Sequence, residues 1–130
     1  MSHFDPLRNP IKNARGLGSA KEGVHHFIVQ RITALALLVL AVYFVVLIVS
    51  LAGADYATAR AAVAHPCNAV LLVAFLVAMF WHGQLGMQVV IEDYVHTPWL
   101  AMSCQLAVRV ACAFAALASV FAVVRIALGA

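Results

Sequence analysis

Three apolar runs, each long enough to cross the hydrocarbon of a bilayer, leave this chain few folds to choose from. They span about 32–54, 67–92 and 99–128. The first carries no charge between Arg31 and Asp55, and the second is broken before Glu92 only by His82, Gln84 and Gln88. The third holds Arg109 and Arg125. A helix needs about 20 apolar residues to cross roughly 30 Å of hydrocarbon, where every backbone polar group must be satisfied within the protein. An all-α membrane protein of three transmembrane helices is expected. The 130 residues are 65% hydrophobic and 10% charged, against about 25% charged in a soluble domain. That leaves no room for a nucleotide-binding or second, soluble catalytic domain. Any catalysis must be borne by a cofactor or shared with partner subunits.

Local chemistry sets the boundaries. Gly53-Ala54-Asp55 closes the first run, and His65-Pro66 restarts the chain with proline in a first-turn position. The alanine-rich stretch from Asp55 to Ala64 suits a short interfacial helix, and Thr97-Pro98 separates the second and third spans ahead of the interfacial Trp99. Residues 1–22, with Pro6, Pro10, Gly16 and Gly18, form a polar basic segment expected to be extended or partly disordered. Residues 23–130 form the three-helix anchor domain.

The net charge of +3 comes mainly from Arg8, Lys12, Arg15, Lys21 and Arg31, directly before the first span. The positive-inside rule explains this cluster without nucleic-acid binding. It puts the N-terminus and the loop from Glu92 to Pro98 in a bacterial cytoplasm or a mitochondrial matrix. The loop holding Arg60 and the C-terminus then lie outside. About thirty polar residues precede the first run, so it reads as an uncleaved anchor rather than a signal peptide. Cys67, Cys104 and Cys112 lack paired or metal-ligand spacing and read as small buried hydrophobes.

Chemistry concentrates in one stretch, from His82 to Tyr94. An imidazole deep in an apolar span has no water to bond and needs a partner. That partner is either a neighbouring helix or a metal, as when His82 serves as an axial haem ligand. Gly83 and Gly86 flank it, and their missing side chains admit a flat macrocycle or another helix. At about 100° and 1.5 Å per residue, Asp93 returns to nearly the same face about 16 Å further along. Asp93 and Tyr94 read either as an ordinary interfacial helix end or as a quinone site, the phenol donating to a carbonyl and the carboxylate relaying protons. Glu92 is expected to be their solvated neighbour. Arg31 suits snorkelling or, with His25, the holding of anionic groups such as haem propionates. No other histidine lies at membrane depth, so a second histidine ligand to iron must come from another polypeptide. Arg109 has no single reading: lipid phosphate, snorkelling and a polar partner all fit.

Together, Gly-Ser-Ala-Lys-Glu-Gly-Val-His-His-Phe…Gln-Arg-Ile-Thr-Ala (18–34) and His82…Gly86…Asp93-Tyr94 resemble the hydrophobic membrane anchor subunit of succinate dehydrogenase, the D-type subunit of respiratory complex II. The resemblance covers most of the chain beyond about residue 14. It implies that His82 ligates the iron of haem b, the other ligand coming from a companion cytochrome b-type anchor that packs with this chain into a helical bundle. It also implies that Arg31 and His25 lie near the propionates and that Tyr94 and Asp93 line the ubiquinone site. An iron–sulfur subunit and a flavoprotein carrying FAD are implied on the inner face, where they oxidise succinate. His26 doubles the first-motif histidine, leaving open which of the pair faces the haem. An anchor of a quinol:fumarate reductase is a near relative. A non-redox structural subunit and a small transporter using His82, Arg109 and Asp93 as a proton relay are the competing readings.

Overall fold

The computed structural model describes residues 21–129, and all but the end of the polar segment expected over 1–22 lies outside them. Four helices follow in order: α1 (Lys21–Ser50), α2 (Tyr56–Ala64), α3 (Pro66–Tyr94) and α4 (Pro98–Ala127). The stretches Gly23–Ser50, Pro66–Tyr94 and Pro98–Ala127 are long and apolar enough to span a membrane. The 30 residues of α1 reach about 45 Å at 1.5 Å each, beyond the hydrocarbon. The helix therefore begins well before Ile32: hydropathy marks where lipid lies, whereas backbone hydrogen bonding continues through the headgroup region.

At its other end α1 stops at Ser50, short of the expected Ala54. Gly53 has φ +83°, a left-handed conformation that costs a glycine little and ends a helix. Asp55 then caps α2, its Oδ1 accepting from the Thr58 amide at 3.0 Å. Hydrogen bonds from Thr58 hold the Asp55 carboxyl below the usual aspartate value. His65, in extended conformation, ends α2 and precedes Pro66. Val95 to Thr97 makes the short connection from α3 to α4.

The three long helices lie in a row. α3 packs against both α1 and α4, and among the described residues α1 and α4 do not meet. The buried residues, Ala69, Leu72, Phe75, Leu85 and Ile91, are all on α3. Their spacing at 100° per residue puts them on more than one side of the helix, as its middle position requires. Lipid is as apolar as leucine, so close packing and cross-helix hydrogen bonds must join such helices. Phe44 of α1 stacks on Phe75 at 4.6 Å. Tyr43 Oη donates to Asn68 Oδ1 at 2.7 Å, and Asn68 Nδ2 donates to the Ala62 carbonyl at 2.8 Å, tying α1, α2 and α3 at one end. On α4 the half-buried positions Ala101, Gln105, Val108, Cys112, Ala115 and Ser119 recur at helical spacing. Cys104 and Cys112 are half-buried, as small hydrophobes would be. Cys67 departs from that reading: it is exposed in the first turn of α3.

Candidate functional site

His82 occupies the middle helix, partly buried, and its ring is held across the α1–α3 contact. Its Nδ1 lies 3.0 Å from Thr33 Oγ1. The same hydroxyl lies 2.9 Å from the Val29 carbonyl and 3.1 Å from that of Gln30, one turn back on α1. Nε2 of His82 has no hydrogen bond among the described residues, and it reaches the chain's surface. Beside it, a Cβ built on Gly83 or Gly86 meets nothing within 4 Å. The glycines therefore do not serve packing within the described chain; they leave open space next to the imidazole.

Toward the other end of α3, Asp93 and Tyr94 are exposed, Tyr94 at 78%. Neither makes a hydrogen bond among the described residues. Tyr94 is the last helical residue, so its phenol and the Asp93 carboxylate stand at the helix edge, free to meet a further molecule. Glu92 is exposed, as the sequence reading of a solvated neighbour expects, and it also bridges two helices. Its Oε1 accepts from Gln88 at 2.8 Å and from Gln105 of α4 at 3.4 Å, joining the two helices near the short connection.

Arg31 and His25 do not join His82 in one cluster within the described residues. Arg31 is exposed, its guanidinium 5.0 Å from the Phe27 ring centroid one turn back. It stands two positions before Thr33, about 200° round α1, so it points away from the α3 contact. His25 is exposed and lines a cleft of about 450 Å³ with His26, Trp81, Gln84, Gln88 and Arg109 among others. His26 is the more enclosed of the two histidines, and its Nε2 is buried without a partner. Arg109 borders the same cleft, exposed and without a hydrogen bond or ion pair among the described residues.

The arrangement thus offers three chemistries: an imidazole with one nitrogen held and the other open, a free phenol–carboxylate pair at a helix end, and two basic groups near the start of α1. Thr33 escaped sequence reasoning. The available signal was a hydroxyl at the start of an apolar run, two positions after Arg31.

A sequence model described as "Succinate dehydrogenase/Fumarate reductase transmembrane subunit" matches residues 5–124. The succinate dehydrogenase hydrophobic membrane anchor subunit of Rickettsia bellii is 33% identical over 103 residues, covering 79% of this chain and 82% of that protein. The subunit of the same name from Rickettsia conorii is 35% identical over 86 residues, covering 65% and 68%. That of Paracoccus denitrificans is 32% identical over 85 residues, covering 65% and 66%. The matched residues take in all three long helices and the His82–Tyr94 stretch, and on that ground the chain belongs to the succinate dehydrogenase/fumarate reductase transmembrane subunit family.

Proposed function

We propose that this chain is a membrane anchor subunit of a succinate:ubiquinone oxidoreductase, holding one side of a b-type haem and part of the ubiquinone site. The observation that carries the reading is the open Nε2 of His82 beside the unfilled space at Gly83 and Gly86. An imidazole nitrogen reaching the surface next to open space would admit a macrocycle shared with a companion anchor. Among the described residues no three His, Cys, Asp or Glu side chains gather to hold a metal ion; on this reading a single residue of the chain, His82, would hold the iron. When bound there, haem supplies one-electron redox chemistry.

The chain's own residues do the rest. His82 would hold the haem iron through Nε2, with its ring steadied by Thr33 at Nδ1. On this reading Arg31 and His25, on the N-terminal part of α1, would meet propionates at the membrane edge, where charge-assisted hydrogen bonds keep carboxylates ionised. Tyr94 donates its phenol proton to a ubiquinone carbonyl, and Asp93 relays a proton from the aqueous side as the quinone is reduced. This reading puts the N-terminus, Asp93 and Tyr94 on the cytoplasmic or matrix side of the inner membrane. An iron–sulfur subunit and an FAD-bearing flavoprotein dock there and oxidise succinate. Residues 23–130 act as one anchoring unit, with the basic segment 1–22 ahead of them. The relatives reported above are named for succinate dehydrogenase, which favours that reaction over fumarate reduction.

A reduced-minus-oxidised spectrum of native membranes tests the assignment. His82→Ala should abolish the b-type bands while the complex remains assembled; bands of wild-type size and position in an intact variant complex would refute it.

A further inference from the structure

We infer that Thr33 is a positioning residue for His82: it accepts a hydrogen bond from Nδ1–H, which fixes the ring's tautomer and leaves the Nε2 lone pair for iron. The inference rests on the haem reading above and extends it to a residue of another helix. Three distances carry it. Thr33 Oγ1 is 2.9 Å and 3.1 Å from the carbonyls of Val29 and Gln30, and 3.0 Å from His82 Nδ1. A hydroxyl has one proton to give and two lone pairs with which to accept. Within a helix a threonine hydroxyl commonly gives that proton to a carbonyl three or four residues back. Its remaining capacity toward Nδ1 is that of an acceptor, so Nδ1 carries the ring proton.

The opposite arrangement leaves a worse account. If Thr33 donated to Nδ1, the ring proton would sit on Nε2, which has no acceptor among the described residues. An unpaired N–H at membrane depth is costly, with no water to receive it. With the proton on Nδ1, every donor in the set is satisfied and Nε2 presents only a lone pair. Thr33 also occupies the approach to Nδ1, so Nε2 alone is open to a metal.

A second effect follows from the same bond. Donation from Nδ1–H to an oxygen raises the basicity of the ring, makes Nε2 a stronger donor and favours the higher oxidation state of a ligated metal. Thr33 thereby holds the reduction potential of the centre low as well as setting the geometry.

The test uses the assembled complex in native membranes and reads the midpoint potential and the low-spin EPR spectrum of the b-type haem. Thr33→Val removes the hydroxyl at nearly constant shape, and Thr33→Ser restores it. The valine variant should keep its haem, show a more positive midpoint and an altered EPR spectrum. The serine variant should return both to wild type. Should valine hinder assembly, Thr33→Ala removes the hydroxyl without the branch and reads the same quantities. Wild-type potential and EPR in the hydroxyl-less variants would overturn the inference, as would a serine variant displaced as far as valine. His82→Ala separates the two levels. Loss of the bands there with no response at Thr33 rejects Thr33 alone, whereas intact bands reject the ligand reading and this inference with it.

Discussion

Gly86 offers a substitution whose effects on the chain and on the cofactor should have opposite signs. It lies one turn beyond His82 on the same face, inside α3. A Cβ added there meets no atom within 4 Å in the described chain. For the protein alone, Gly86→Ala is therefore free of clashes. Replacing a mid-helix glycine also removes a conformational entropy cost of roughly 0.5–1 kcal/mol. The isolated subunit in detergent should be as stable as wild type or slightly more so. If a macrocycle fills that space, leucine overpacks it, and overpacking a tight site costs about 1–3 kcal/mol. At 1.4 kcal/mol per tenfold, haem affinity falls by roughly 5- to 150-fold, with alanine at or below the lower end. Haem per assembled complex, measured as the pyridine haemochrome against native-gel quantitation, gives the second readout, and thermal unfolding of the purified subunit the first. Full haem content in an assembled Gly86→Leu complex would show that the space beside His82 is not where haem sits. A destabilised isolated Gly86→Ala subunit would contradict the structure itself.

Three further expectations follow from the structure. Tyr94→Phe should depress ubiquinone reduction at least tenfold while succinate oxidation by an artificial dye stays near wild type; equal loss of both rates counts against a quinone role for the phenol. Tyr43→Phe removes the donor to Asn68 Oδ1 and should lower helix-packing stability by about 0.6–1.7 kcal/mol, the range for hydrogen bonds between membrane helices, measured by denaturant titration in mixed micelles. The Asp55 cap should show a pH dependence of defined sign. Its folded carboxyl is held below the ordinary value of 3.8, so its contribution is complete above that value and fades as pH falls through the depressed one. The protection factor of the Thr58 amide, corrected for the intrinsic pH dependence of exchange, reads this directly: it should be lower in Asp55→Ala, and lower in the wild type at low pH than at neutral pH.

Much of the fold was legible because lipid imposes a simple rule on sequence. A long apolar run must be a helix there, and Pro66 and Pro98 mark two of the starts within a residue. The ends were less legible where backbone geometry overrides hydropathy, as at Gly53, or where a helix continues beyond the hydrocarbon, as before Arg31. His82, Gly83, Gly86, Asp93 and Tyr94 announced themselves because each is of an unexpected type for its depth or lies at an edge. Thr33 could not, since its importance depends on which helices are neighbours and how each is rotated. The tie from Glu92 to Gln105 was hidden for the same reason: it exists only once α3 and α4 are side by side. The exposure of Cys67 likewise follows from its place on the helix, and composition carries no sign of it.

The row arrangement bears on the life of the subunit in a cell. A helix at the edge of a row is clasped on one side, so α1, which packs on α3 alone, can peel away without first opening an interior. A newly inserted copy therefore has little to protect it from the proteases that survey membranes until another polypeptide covers its flanks. Its abundance should then track the synthesis of its neighbours more closely than its own, making the supply of companions the regulator of its lifetime.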